Sequence, residues 1–164
     1  MRERSGSTRL PELGPQGEGW VVAQLGAYAL VALAGLRGRR WPQRATLPLT
    51  AAAIPAAAVG AAMITAGVVT LERSITPNPR PRSGGTLHER GLYGVVRHPI
   101  YGGVILSALA WSLWRGPAAV GPTALTVVVV DLKSRREEAW LLERYPGYRS
   151  YRDRVRWRFL PRVW

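Results

Sequence analysis

The chain has no cysteine, only two histidines and one phenylalanine, and only 10 acidic residues among 164. Without cysteine there is no disulfide, no thiolate zinc site and no cysteine nucleophile, and two histidines alone argue against any metal site. No glycine-rich nucleotide fingerprint follows a strand, which argues against a Rossmann-type nucleotide domain. The shortage of acid leaves 23 Lys and Arg residues largely unopposed, for a net charge of +13 and a pI near 11.5. Such a balance implies an anionic partner, either a membrane surface or a nucleic acid. Mean hydropathy is near zero, at −0.04, because charged and apolar residues are segregated along the chain.

The length is that of one domain, divided here into three stretches. Residues 1–19 form a polar tail rich in Gly, Pro, Arg and Glu, without the compact basic start of a signal peptide, and read as disordered or loosely attached. Residues 20–72 hold two anchor spans. Trp20 to Leu36 is 17 residues without a charge, an uncleaved anchor at the lower end of membrane-span length. Leu47 to Leu71 is 25 uncharged residues, with Ala53, Ala57 and Ala61 repeating small side chains at four-residue spacing beside Ala56 and Gly60. That spacing lets helices approach closely in lipid, and Pro55 is expected to kink the helix.

Residues 73–164 begin as a loop of turn formers. Ile100 to Trp114 and Ala118 to Val130 are apolar runs joined by the turn signal Arg115-Gly116-Pro117. Both are short, about 22 Å at ~1.5 Å per residue, and suit a tight helical hairpin. Beyond Asp131 the fourth helix is expected to continue as an amphipathic helix to Pro146-Gly147, with Leu132, Ala139, Leu142 and Tyr145 as its apolar face. From Arg154 to Phe159 basic residues alternate with Val, Trp and Phe, a pattern that suits a membrane interface. The expected fold is an all-α integral membrane protein with about four spans and a cytoplasmic amphipathic helix and lid. With four spans, 18 Lys and Arg fall on one side and 5 on the other. The positive-inside bias then puts the histidines and the C-terminal helix in the cytoplasm.

The chemistry gathers in His88 to Gly103, HERGLYGVVRHPIYGG, which holds both histidines and two of the six tyrosines. Singly, these residues read as ordinary structure: Pro99 opens a helix, and Arg97, His98 and Tyr101 are interfacial anchors. Together, Gly91, Tyr93, Arg97-His98-Pro99, Tyr101 and Gly103 precede one helical hairpin, then Glu137-Glu138, then Tyr148 and Tyr151. Lys133 and Glu137 stand four residues apart, on one helix face, as a cofactor clamp or a plain surface ion pair. A zwitterionic ligand that carries a ring system needs an anion for its ammonium, donors for its carboxylate and aromatic faces for its ring. Glu137 meets the first need, Arg97 or the backbone N–H groups opening the third helix the second, and Tyr93, Tyr101 and Leu87 the third.

This constellation, closing in Phe159-Leu160-Pro161, resembles the isoprenylcysteine carboxyl methyltransferase and phospholipid methyltransferase group of membrane enzymes, over Gly85 to Pro161. The resemblance implies an S-adenosylmethionine-dependent methyltransferase acting on a lipid-like or apolar small acceptor. It implies cofactor contacts at Gly85, Thr86, Leu87, His88, Tyr93, His98, Pro99, Ile100, Tyr101 and Glu137, with Arg97, His98, Lys133 and Glu137 as the catalytic set. The family has an arginine where this chain has Lys133, which keeps the charge and loses the bidentate fork suited to a carboxylate. An amine or hydroxyl acceptor would need a base, for which His98 or His88 is the candidate.

Two further classes share the same features. Membrane sterol and enone reductases resemble the same C-terminal architecture and would hold NADPH in the same pocket. A non-enzymatic basic membrane adaptor fits the charge alone, and RNA binding by the tail is a weaker variant of it. The expected partners are a lipid-like substrate and a bilayer with anionic lipids, with no nucleic acid and no obligate protein partner.

Overall fold

The computed structural model describes residues 10–71, 78–80 and 86–164. Two long helices come first, α1 (Glu18–Arg37) and α2 (Gln43–Leu71). A 3-10 turn at Gly91–Gly94 leads into α3 (Pro99–Arg115), and a second at Pro117–Ala119 leads into α4 (Val120–Arg144). A short helix, α5 (Tyr148–Arg154), precedes the extended C-terminal end. Among the described residues the one β pairing is an isolated parallel bridge between Val96 and Trp157.

By length and composition α1 and α2 can each cross a membrane, and only 22% of the most apolar window of each is buried inside the molecule. Their remaining faces expose Val22, Leu25, Leu30, Leu33, Leu47, Ile54, Val59 and Val69. A helix apolar on its outward side is solvated by lipid rather than water, so the coarse expectation of an all-helical membrane protein holds. The hairpin helices are a different matter. At 17 residues α3 is short for a span, and α4 carries its charges within one continuous helix.

Packing of α2 on α3 is backbone against backbone. A Cβ built on Gly60 would lie 2.8 Å from the Gly103 carbonyl oxygen, and one on Gly103 would lie 2.5 Å from that of Gly60. The buried face of α2 is Ala53, Gly60, Met63 and Gly67, whereas Ala57 and Ala61 face outward. The small residues therefore act at seven-residue rather than four-residue spacing, as expected when one stripe of a long helix meets a single neighbour. The helix continues through Pro48 and Pro55 without a break.

At the closed end of the hairpin, Gly116 adopts φ 147°, and a Cβ there would stand 2.1 Å from the Arg39 carbonyl oxygen. Only glycine tolerates both conditions. Pro99 sits at the first turn of α3, where a missing N–H costs nothing.

Two expectations about the polar segments change. The tail from Leu10 onward is docked, with Trp20 Nε1 donating to the Pro11 carbonyl (3.0 Å) and Arg136 pairing with Glu12. On the C-terminal part of α4, the expected apolar face (Leu132, Ala139, Leu142, Tyr145) is only half-buried. The buried residues there are instead Asp131, Lys133, Ser134, Arg136, Glu138 and Trp140. Charge is turned inward because partners wait for it.

Candidate functional site

The open end of the α3–α4 hairpin gathers the charged groups. The chain enters α3 along the C-terminal segment, with Arg97 N donating to the Trp157 carbonyl (3.0 Å) and His98 N to that of Arg158 (2.8 Å). This short pairing sets Arg97 and His98 against Glu138 of α4. One oxygen, Glu138 Oε1, accepts from Arg97 Nε (2.9 Å) and Arg158 Nε (3.3 Å) and lies 3.1 Å from His98 Nε2. Arg97 Nη1 also donates to the carbonyls of Val155 and Arg156, both at 2.7 Å, and Arg158 Nη1 reaches Asp131 Oδ1 at 2.8 Å. Burial pushes the Glu138 carboxyl up, but His98, Arg158 and Arg97 outweigh it and hold the group at about 2. Such a pair is hard to break: removing one partner strands the other charges in a desolvated setting.

A second group of side chains lies one residue around the helix. Tyr101 OH donates to Glu137 Oε2 (2.9 Å), and the Tyr101 ring stacks on His98 with centroids 5.5 Å apart. Lys133, 2% exposed, lies over the Tyr101 ring at 5.3 Å and donates to Gln24 Oε1 of α1 at 2.5 Å. Gln24 in turn donates to Tyr28 OH (2.5 Å). Burial pushes the Lys133 ammonium down from its ordinary value, and Glu137 pulls it partly back. The reading of Lys133 and Glu137 as a surface ion pair fails on this burial.

Tyrosines wall this group from the tail side. Tyr148, Tyr151 and Val155 form a buried cluster against Leu87, Leu141, Leu142 and Tyr145. Tyr151 OH donates to the Tyr93 carbonyl (2.7 Å). Burial, with the carboxylates of Glu138 and Glu137 adding to it, pushes the Tyr148 phenol above its usual range. The Tyr148 hydroxyl is buried and has no hydrogen-bond partner among the described residues. Tyr148 and Tyr151, the tail residues expected to cover the site, are packed into this cluster.

Of the residues singled out from the sequence, Tyr93, His98, Pro99, Tyr101, Lys133 and Glu137 converge at this mouth. Arg97 is beside them but is committed to Glu138 and two carbonyls, not free as an anion partner at its Nε and Nη1. Ile100 packs against Gly67 of α2, and Leu87 against the tyrosine cluster. Thr86 and His88 contact each other at 3.4 Å in the preceding loop, and Gly85 lies outside the described residues. Sequence reasoning missed Gln24 and Tyr28. The signal was there, since a glutamine with a tyrosine four residues on is conspicuous in an otherwise apolar span.

No protein-family model matches the chain. It is 29% identical over 93 residues to a Delta(14)-sterol reductase of Methylotuvimicrobium alcaliphilum, covering 52% of this chain. It is also 34% identical over 86 residues to the Delta(14)-sterol reductase of Mus musculus, covering 50% of this chain. The chain spans about a fifth of the length of each, 21% in both cases. These matches overturn the methyltransferase resemblance, and with it S-adenosylmethionine as cofactor and methyl transfer as the reaction. The physical reason for the error is plain. An acid, ring faces and a cation at the open end of a helical hairpin suit any adenosine-bearing cofactor, so the motif does not distinguish one such cofactor's chemistry from another's.

Proposed function

We propose that this chain provides the cofactor-binding hairpin of a membrane reductase that uses NADPH to reduce a carbon–carbon double bond in a sterol or related enone. The observation that carries the reading is the pair of matches to Delta(14)-sterol reductases. The mouth of the hairpin has the donor set that NADPH requires. Glu137 supplies an acceptor for ribose hydroxyls, Tyr93 and Tyr101 ring faces, and the buried Tyr148 hydroxyl an unused hydrogen-bonding group. When bound, NADPH supplies a hydride.

Reduction of a double bond also needs a proton for the second carbon. Lys133 Nζ is the group assigned to deliver it, because burial lowers the ammonium's hold on its proton. Gln24 fixes its direction from α1, and Tyr101 with Glu137 closes the water side. The Arg97–His98–Glu138–Arg158 network holds the start of α3 against α4, so that these groups keep their separations.

The test is calorimetric titration of the detergent-purified chain with NADPH, with S-adenosylhomocysteine as control. Saturable heat with NADPH alone is expected; heat with S-adenosylhomocysteine alone would remove the reading. The same proposal places the hairpin helices as two short additional spans, with the mouth in the cytoplasm, on the strength of the 18 to 5 distribution of Lys and Arg. Reporter fusions after Arg44 and after Trp164 are then expected on opposite sides of the membrane.

A further inference from the structure

Beside the Glu138 network, on its α5 side, a depression of about 550 Å³ opens to the surface, lined by Arg97, Glu138, Arg152, Asp153, Arg156 and Arg158. Four guanidinium groups face two carboxylates. Glu138 is already shared by Arg97 and Arg158, and Arg158 is further held by Asp131. The next basic residue, Arg154, pairs with Glu89. The side chains of Arg152 and Arg156 make no ion pair among the described residues, and Asp153 is the one lining carboxylate left to oppose them. The cleft therefore has a floor fixed by buried ion pairs and a rim of two cations without an anion of their own.

Outside the six charged residues that line the cleft, apolar side chains are exposed on the adjoining segments: the Val96–Trp157 bridge leaves Val95 and Trp157 exposed, at 48% and 39%, beside the backbone that carries Arg156. Val163 and Trp164 are exposed where the C-terminus folds back, Arg158 N donating to the Trp164 carbonyl at 2.7 Å. A nucleotide or a free phosphate has no use for such neighbours. A lipid headgroup does, because its acyl chains leave the phosphate alongside an interfacial tryptophan.

We infer that this cleft is a binding site for the phosphate of an anionic phospholipid, with Arg152 and Arg156 as its two arms and Val95 and Trp157 as its acyl-side edge. The inference rests on the membrane reading of the chain and is independent of the reductase reading. Its role is anchorage: a headgroup held there ties α5 and the C-terminal segment, and through them Arg97 and Arg158, to the membrane surface.

The experiment is native mass spectrometry of the full chain, purified in detergent and titrated with phosphatidylglycerol, phosphatidylcholine or inorganic phosphate. Two arginines near a bilayer surface are expected to give phosphatidylglycerol about a thirtyfold preference over phosphatidylcholine. The double variant Arg152→Gln/Arg156→Gln is expected to lose most of that preference, while NADPH titration of the same variant is unchanged. A charge-matched control, Arg144→Gln/Arg149→Gln, alters exposed helix positions that do not line the cleft and is expected to keep the preference. Equal loss in the control would reduce the effect to bulk charge and overturn the site. Inorganic phosphate displacing the lipid at equal concentration would overturn the lipid assignment, as would an Arg152→Gln/Arg156→Gln variant that keeps the lipid preference of the native chain. Lipid selectivity without any NADPH binding would support the cleft while removing the reductase reading.

Discussion

The two ends of the α3–α4 hairpin are built from different chemistry. At the closed end, Ser112 and Thr123 hydroxyls meet at 2.6 Å, Arg115 donates to the Gly35 carbonyl at 3.1 Å, and its guanidinium lies over the rings of Trp111 and Trp114. Every polar group there is answered by a neutral partner. At the open end, Arg97, His98, Arg158, Asp131 and Glu138 are joined by ion pairs, four of the five buried. Neutral hydrogen bonds and ring contacts can lose a member at modest cost, whereas a buried charge network cannot. The contrast separates an end of the hairpin held by neutral hydrogen bonds and ring contacts from an end held by buried charge.

The largest effect should come from Glu138→Ala, which leaves Arg97, His98 and Arg158 without their shared carboxylate. A loss of about 3–5 kcal/mol is expected from unfolding in mixed detergent. A loss no greater than that of a closed-end hydroxyl would erase the contrast. The same carboxylate gives a pH signature. Its folded-state value is depressed, from 4.5 to about 2, so its contribution is complete above 4.5 and is lost as pH falls toward about 2. The stability difference between the native chain and Glu138→Gln should therefore shrink across that window and stay flat above it.

Gly116→Ala probes the closed end where it is least tolerant. Positive φ and contact with the Arg39 carbonyl should cost about 1–3 kcal/mol, without changing NADPH affinity. If affinity falls in parallel with stability, the two ends are coupled and the contrast is only local. Glu137→Gln is the complementary change at the mouth. It keeps the acceptor for Tyr101 and should weaken NADPH about tenfold, ~1.4 kcal/mol, while leaving the melting temperature close to native. An unaltered titration would remove Glu137 from the site. The smallest effect is expected from Ser112→Ala, about 1 kcal/mol, since Thr123 can still donate to the Ala108 carbonyl.

Much of the architecture was legible in the sequence. The apolar runs Trp20 to Leu36 and Leu47 to Leu71 became α1 and α2, each extended by a few residues. Pro99 and Gly116 marked the ends of α3, and Pro146 the end of the helix before it. That His98, Tyr101 and the glutamate pair are spaced to meet across one hairpin was also readable, and the structure brings them into contact. Which glutamate does what was expected to favour Glu137, and the structure divides the pair by position: Glu138 inward to Arg97, His98 and Arg158, Glu137 to Tyr101. Periodicity failed on α4, because it assumes that apolar residues face inward. Here Asp131 and Glu138 turn in, since Arg158 and Arg97 arrive from 20 or more residues away to meet them.

Sequence alone determined where helices start and stop, that two of them suit lipid, and that chemically capable side chains cluster in the chain around the His98 turn. These follow from local properties, namely runs of apolar residues, proline and glycine positions, and residue types grouped within a few turns. The tertiary structure decided that Gln24 of the first helix holds Lys133, that Phe159 fills the core of the hairpin with Ile105 and Val130, and that Arg152 and Arg156 are left facing an open cleft. Each of these joins residues far apart in the chain, and no local pattern encodes a distant partner.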